Sequence, residues 1–539
     1  MRKETRWLWN RIQEIRLPLL LSIITGVSRV CASLLFVWVC KQLIDIATHT
    51  TEGHMGYYTG ALIAVVIAEI ALSAYVNRLE NRNDIRLKNV LRHSLFSHFM
   101  VSVWNGKERF HSGDTVNRLE EDVRVVTEAV CKNLPSFAVT CFQLVAATLF
   151  LFRLDSRLAG LIVLIMPLFL VSSKIYMKRM RRLTKEIRQT DSRVQSHIQE
   201  NIQHKILIQT LEQNEAVNSK LNYFQHILYG QTMKRINFTL FSRTLVMAGF
   251  ASGYVATFLW GVNGIYQGII SFGLMTAFLQ LVGQIQRPMV DISSYLPSLI
   301  HAVTSAERLI ELDSLPAEEQ GGRLMLEGSV GICFENVSFA YPDGDRNIIA
   351  SFSHDFLPGS RTAVVGQTGT GKSTLIRLML DLLHLQEGKI YLHNNRRRVE
   401  SGSRTRCNLV YVPQGNTLLS GTIRENLLLG NPNATDKQLD EALTTAAAEF
   451  VYALPEGVDT LCGEKGTGLS EGQAQRICIA RGLLRPGSIL LLDELSSSLD
   501  KETERLLMER LIAKTANKTL IFITHRDVVT EYCGQVVAL

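Results

Sequence analysis

Apolar positions along this chain fall into two regimes. Up to about residue 300 they form six long runs with few charges, at 17–40, 57–76, 134–152, 158–176, 241–262 and 272–300. Beyond residue 330 the runs are short and are separated by glycine, polar turns and segments of helical period. About 20 helical residues cross the roughly 30 Å of a bilayer's hydrocarbon, so the six runs predict six membrane-spanning helices. The first run is longer than the apolar part of a signal peptide and lacks a clear small-residue cleavage site, so it is expected to stay in the mature chain.

The connections between runs alternate in length and charge. Those after the first, third and fifth runs are short and hold at most two Lys or Arg each, and the last of them, 263–271, carries no charge. Those at 77–133 and 177–240 are long, charged and helical in pattern, with Lys178, Arg179, Arg181, Arg182, Lys185 and Arg188 beside an apolar run. The positive-inside bias puts these long connections and both termini in the cytoplasm. Since they hold little glycine or proline, the spans are expected to continue as helices beyond the membrane. The tips of the two hairpins, 104–114 and 206–215, are then candidate contact elements. Arg29 and Glu69 fall within apolar runs and form a candidate buried pair or cavity lining, and Gln280, Gln284 and Arg287 recur at helical spacing in the sixth run as candidates to line a pathway.

From residue 305 the pattern turns amphipathic, then polar, and carries Pro316 and Gly321-Gly322. This predicts a transmembrane domain over 1–310, a linker over 311–328 and a second domain over 329–539. In the second domain, strand-like runs at 331–339, 362–365, 408–412, 489–492 and 519–523 alternate with helical patterns, the mark of an α/β core.

Composition agrees with membrane spans. Of 539 residues, 46% are hydrophobic, high for a chain whose second half has only short apolar runs. The net charge of +7 is spread along the chain and flanks apolar runs, which suits an anionic lipid surface and argues against nucleic acid as a partner. The nine cysteines show no C-x-x-C pair or metal-ligand spacing and fit buried thiols in a reducing compartment.

Chemistry concentrates in Gly366-Gln367-Thr368-Gly369-Thr370-Gly371-Lys372-Ser373, followed by Thr374. The pattern G-x-x-x-x-G-K-[ST] between a predicted strand and a predicted helix is a phosphate loop. Glycines let successive backbone N–H groups curl around an anion at a helix N-terminus, where the helix dipole also favours negative charge. Lys372 would reach the β- and γ-phosphates, and the Ser373 hydroxyl would ligate Mg²⁺. Further on, a buried strand ends in Asp493-Glu494. Asp493 is placed to hold Mg²⁺ through water and Glu494 to polarise the attacking water.

With these stations in order, the second half resembles the nucleotide-binding domain of an ATP-binding cassette (ABC) transporter. Leu469-Ser470-Glu471-Gly472-Gln473 is similar to the family signature LSGGQ, with Glu471 in place of its first glycine. The resemblance implies that Ser470, Gly472 and Gln473 cap ATP held by an opposite domain. It implies Tyr341 as the aromatic on adenine, Gln414 as the residue near Mg²⁺ and at the membrane contact, and His525 as the switch histidine on the γ-phosphate. Ser497-Ser498-Leu499-Asp500 resembles the loop that communicates across the dimer. Six spans ahead of the ATPase and the phrase Gly113-Asp114-Thr115-Val116-Asn117-Arg118-Leu119 resemble the exporter type of the family.

The fold class implied is a membrane all-α six-helix domain followed by an α/β P-loop ATPase of ABC type. The resemblance implies an ATPase coupled to export across the cytoplasmic membrane by alternating access, with ATP and Mg²⁺ as cofactors and a second half-transporter, identical or different, as partner. The cargo, whether drug, lipid or peptide, is open. An ATP-driven switch, a channel or a regulatory subunit of a heterodimer is the alternative. The helices that commonly follow the switch histidine are expected to be short or absent, since His525 lies close to Leu539.

Overall fold

In the computed structural model the chain is described except at residues 1, 105–111, 155, 320, 342–346, 368, 464–467 and 496–498. It divides into two compact units. One comprises Met1–Ser97 and Thr115–Ser314, the other His98–Asp114 and Leu315–Leu539.

The first unit is helical. After α1 (Arg2–Arg11) come α2 (Arg16–Ala47) and α3 (Met55–Met100). A helix from Ser112 to Leu154 is divided into α4 (Ser112–Asn117), α5 (Val123–Glu128) and α6 (Leu134–Leu154) by π-helical turns at Arg118–Asp122 and Ala129–Asn133. Then follow α7 (Ser156–Gln203), the short α8 (Lys205–Thr210), α9 (Asn214–Tyr266) and α10 (Phe272–Asp313). Each predicted apolar run lies inside a long helix. Four stretches, Gln13–Ala47, Met55–Met100, Gly113–Leu154 and Asn214–Tyr266, are long and apolar enough to cross a membrane by length and composition. As expected from the scarcity of helix breakers, α3, α7 and α9 run on for several turns beyond their apolar runs. α10 continues through Pro288 and Pro297, each of which removes one backbone donor.

One hydrophobic cluster of this unit is a seam of α2, α6 and α10. Val37, Ala147, Leu151, Phe278, Leu281 and Ile285 are enclosed there, and Trp260 sets its ring edge-on to Phe278 at 5.3 Å. Polar groups line part of the same seam: Gln284 Nε2 donates to Ser33 Oγ at 3.0 Å, and Gln143 Nε2 to the Gln284 carbonyl at 3.4 Å. The candidate pair of Arg29 and Glu69 does not form. No ion pair joins them among the described residues.

The end of α10 is tied by charge. Trp7 Nε1 and Arg11 Nη2 donate to the Asp313 carboxylate at 2.7 and 2.6 Å. Arg118 Nη1 donates to Glu311 at 2.9 Å and to the Arg308 carbonyl at 2.8 Å, while Arg308 pairs with Asp122. The sequence here has no proline or glycine that would have predicted the first π turn, which buries Arg118 and Asp122 together against α10. The Asp122 side chain is fully enclosed, whereas Arg308 is 40% exposed. Removing the cation strands a buried carboxylate. Arg308→Met is therefore expected to cost roughly 2 kcal/mol, less than a fully enclosed pair would. Thermal unfolding of the purified protein in detergent reads this loss, and an unchanged midpoint would refute it.

The second unit is α/β. β1 (Gly331–Phe339) pairs antiparallel with β2 (Ile349–Phe356) and with β4 (Glu387–His393), which pairs with β5 (Arg398–Glu400). β3 (Arg361–Val365) leads into α11 (Lys372–Met379) and belongs to a parallel sheet. Its other strands are β6 (Leu409–Val412), β9 (Ile489–Asp493), β10 (Thr519–Ile523) and β11 (Gln535–Ala538), in the order β11-β3-β10-β9-β6. A two-residue pair, β7 (Gly421–Thr422) with β8 (Leu461–Cys462), and helices α12 (Ile423–Leu428), α13 (Asp436–Thr445), α14 (Glu471–Leu484), α15 (Lys501–Lys514) and α16 (Asp527–Glu531) complete it. β9 and β10 are buried at every position, as strands covered on both faces must be. One core lies between the two larger sheets and includes Phe334, Phe356, Leu375 and Ile523. The other, including Val410, Leu443, Ile479 and Phe522, lies under α12 to α15.

The predicted contact element at 104–114 begins in this unit. The Trp104 ring lies under the Arg377 guanidinium at 5.0 Å, and Val103 N–H donates to the Pro316 carbonyl at 2.8 Å. Residues 105–111 lie outside the described ones. The second predicted tip, 206–215, holds α8, whose Ile206 and Leu207 are exposed in the first unit.

Candidate nucleotide-binding and hydrolytic site

The phosphate loop connects β3 to α11, so the strand's apolar burial fixes one end and the helix packing of Leu375, Ile376 and Leu378 fixes the other. Gly369 and Gly371 adopt φ of +90° and +101°, a region that L side chains disfavour. Gly371 is the N-cap of α11, and a Cβ there would stand 2.8 Å from Ile348 Cγ2. The turn therefore demands glycine twice over, by backbone angle and by space. Lys372 Nζ donates to the carbonyls of Gly366 and Gln367 at 2.6 and 3.0 Å, and Thr370 Oγ1 donates to Gln367 O at 2.9 Å. Ser373 is exposed and Thr374 buried, with Thr374 Oγ1 3.3 Å from the Tyr341 hydroxyl. Arg377 Nη1 donates to the same hydroxyl at 3.2 Å, so Tyr341 is anchored to the helix that follows the loop. Thr368 lies outside the described residues.

At the end of β9, Asp493 is 5% exposed and accepts from the Tyr411 hydroxyl at 3.3 Å. Burial pushes its carboxyl above the usual carboxylate range; the Tyr411 hydrogen bond opposes this, Glu494 adds to it, and Arg377 and Lys372 also oppose it. Burial and Asp493 push the Tyr411 phenol up to about 12, so it stays protonated and keeps donating.

Glu494 has φ +46°, left-handed for a non-glycine residue. Its N–H donates to Ile523 O at 3.0 Å and its carbonyl accepts from Gln475 Nε2 at 3.0 Å. Its carboxylate is bracketed: Gln414 Nε2 donates to Oε2 at 2.5 Å, and His525 Nδ1 stands 3.5 Å from Oε1. Thus the strand ends of β6, β9 and β10 bring Gln414, Asp493, Glu494 and His525 to one edge of the parallel sheet. The phosphate loop leaves β3 at that same edge.

The signature segment is satisfied by itself. Ser470 is the N-cap of α14; its Oγ accepts from Gln473 N–H at 3.2 Å, and Gln473 Oε1 accepts from Ser470 N–H at 2.9 Å. Glu471 is exposed in the first turn, where the helix dipole favours its charge. Among the described residues no hydrogen bond joins Ser470, Gly472 or Gln473 to the phosphate loop. In the loop expected to communicate across a dimer, Ser497 and Ser498 lie outside the described residues. Asp500 caps α15, and its hydrogen bonds from Thr503, together with the backbone N–H groups of the helix start, hold its carboxyl below the usual range.

Three contributors were not anticipated from the sequence. Tyr411 and Arg377 read as members of a strand and a helix, and Gln475 lies in the string Glu471-Gly472-Gln473-Ala474-Gln475-Arg476, where nothing marks its amide as fully enclosed.

The residues present fit a magnesium nucleotide. The glycine cradle opens onto the N-terminus of α11, where the N–H groups of the first turn have no partner within the helix. A buried carboxylate held above its ordinary range by desolvation, with an exposed serine hydroxyl at the start of α11, is the oxygen-donor chemistry that a hard dication takes.

Residues 19–289 match the family model of the ABC transporter transmembrane region, and residues 349–497 match that of the ABC transporter. The chain is 25% identical over 464 residues to "Multidrug resistance-like ATP-binding protein MdlB" of Buchnera aphidicola, covering 86% of this chain and 80% of that protein. It is 26% identical over 453 residues to the "ATP-dependent lipid A-core flippase" of Photobacterium profundum, covering 83% and 77%. Among solved structures, a bacterial Atm1-family ABC exporter with ATP bound has the same fold, with a TM-score of 0.81 at 21% identity over 97% of this chain and 93% of that one. With its membrane-type helices and its phosphate-loop ATPase fused in one polypeptide, the chain belongs to the ABC transporter family.

Proposed function

We propose that this chain is a half-transporter that pairs with a second copy or a close relative and exports a substrate across the cytoplasmic membrane at the expense of ATP. The observation that carries this reading is the joining of two things in one chain: apolar helices long enough to span a bilayer, and an ATPase edge where Gln414 and His525 bracket the Glu494 carboxylate. The ATPase domain and both termini then face the cytoplasm. Names of relatives point to drugs and lipids as cargo classes, and peptides remain possible on the same architecture.

The chain's own groups divide the work. The backbone N–H groups of 369–374 and Lys372 hold the phosphates, with Lys372 exchanging the carbonyls of Gly366 and Gln367 for phosphate oxygens. Tyr341 takes the adenine. Ser373, Asp493 and Gln414, through its amide oxygen, would hold Mg²⁺, which would supply positive charge to offset that of the phosphates. Glu494 accepts a hydrogen bond from the attacking water, and His525 lies beside the departing γ-phosphate. The lid is the partner's segment equivalent to Ser470–Gln473, released from its own capping box on closure. Closure is transmitted through the tips of the long helices, where exposed Ile202, Ile206, Leu207 and Leu211 offer an apolar contact.

Inverted membrane vesicles containing the chain alone test the proposal. Substrate uptake that requires ATP is expected, using a panel of lipophilic dyes and short-chain fluorescent lipids. Conductance or nucleotide binding without net uptake would favour a switch or regulatory subunit instead.

A further inference from the structure

Gln475 is 0% exposed, packed in α14 beside Ala474, Ile477 and Cys478. A primary amide enclosed there keeps its place through the bond it makes. Its Nε2 donates to the Glu494 carbonyl at 3.0 Å, and its Oε1 finds no partner among the described residues. The donor is thus the part in use.

The residue it grips is the strained one. Glu494 holds φ +46° with its N–H bonded to Ile523 O at 3.0 Å on one side and its carbonyl bonded to Gln475 on the other. A left-handed non-glycine residue persists only where its surroundings over-determine it, and these two bonds pin the peptide groups on both sides of its Cα. From that turn the carboxylate reaches Gln414 Nε2 at 2.5 Å and faces His525 Nδ1 at 3.5 Å. Without the bond to its carbonyl, the backbone of Glu494 is free to relax toward ordinary φ, and the carboxylate swings away from both partners.

We infer that Gln475 is a positioning residue for hydrolysis, holding Glu494 in the turn that aims its carboxylate at the attacking water. It does so from α14, the helix that begins at Ser470 and carries the signature segment. One helix therefore serves two nucleotides: its first turn closes over the partner's ATP, and its second sets the carboxylate that acts on its own. A shift of α14 on closure reaches Glu494 through a single hydrogen bond. The inference rests on the reading of Glu494 as the residue that polarises water, and its test is arranged to separate the two.

The test uses the full-length protein in proteoliposomes, with Gln475→Met, Gln475→Glu, Glu494→Gln and the double variant Gln475→Met/Glu494→Gln. Met fills the volume without a donor. An enclosed glutamic acid stays protonated and still donates, because burial raises its pKa. Gln475→Met is expected to lower kcat about 10- to 100-fold, the cost of a carboxylate displaced by about an ångström. KM and the Kd of a non-hydrolysable ATP analogue should stay within about twofold, since the phosphate loop is untouched. Gln475→Glu should recover most of kcat. The double variant should be no slower than Glu494→Gln alone. A folded Gln475→Met protein with parental kcat overturns the inference, as does a kcat loss matched by an equal loss of analogue binding. Should Gln475→Met fail to fold, Gln475→Glu decides: near-parental kcat at neutral pH that falls as the acid ionises at high pH supports the donor, and a flat low rate refutes it. Parental turnover by Glu494→Gln removes instead the role given to Glu494.

Discussion

Glu494→Gln is expected to stop ATP turnover and leave nucleotide binding intact. The amide is isosteric with the carboxylate, so it keeps an oxygen for Gln414 Nε2, which now donates to Oε2 at 2.5 Å, and it fits the same left-handed turn. What it loses, on the role proposed for Glu494, is the carboxylate base that polarises the attacking water. General-base assistance is worth about 100- to 10,000-fold, so kcat is expected to fall at least ~100-fold. Binding is assigned to the loop of 366–374, and neither Gln414 nor His525 needs to move for the substitution. The Kd of ATP should therefore change by less than about threefold, and the variant should accumulate in the ATP-closed dimer because its exit by hydrolysis is blocked. Rapid-quench ATPase assays with equilibrium nucleotide binding on the same preparation give both numbers. Turnover within tenfold of the parent would mean that another group activates the water.

The residues this argument uses were legible in the sequence to different degrees. The phosphate loop and Asp493-Glu494 could be read directly, because a strand buried on both faces is a continuous apolar run and the chemistry sits at its end. The strands at 331–339 and 519–523 appear with the bounds expected. β2 and β4 escaped notice because one face of their antiparallel sheet meets solvent. Ser351, Ser353 and Asp355 alternate with Phe352 and Phe356, and β1 itself shifts register where Asn336 takes φ +49°. In the helical unit, length and polarity marked the helices but not their side-chain partners. Arg29 and Glu69 make no ion pair among the described residues, and the π turns at Arg118 and Ala129 follow from burial against α10, which no local propensity encodes. Gln475 belongs to the same class: its role depends on which residue of another element its amide meets.

Gly371→Val is expected to abolish useful ATP binding, and the reason separates two glycines of the phosphate loop that share a positive φ. Gly369 and Gly371 both have positive φ, at +90° and +101°, so a side chain at either position strains the backbone by about 1–2 kcal/mol. They differ in space. A Cβ at Gly369 meets nothing within 4 Å, whereas one at Gly371 stands 2.8 Å from Ile348 Cγ2, 3.1 Å from Ile349 Cδ1 and 3.3 Å from the Ile348 carbonyl. Ile349 is buried in the core between the sheets and cannot retreat, and the carbonyl belongs to the backbone. Overpacking adds roughly 1–3 kcal/mol, and branching at Cβ places Val at the upper end. The loop escapes this cost by leaving its anion-binding conformation, which lowers apparent affinity by the fraction of molecules that remain competent. At about 1.4 kcal/mol per tenfold, Gly371→Val should weaken ATP binding by ~100-fold or more, and Gly369→Ala by ~10-fold. Titration with a fluorescent nucleotide analogue measures both. Equal losses at the two positions would assign the effect to backbone angle alone, and so remove Ile348 and Ile349 from the wall that shapes the phosphate site.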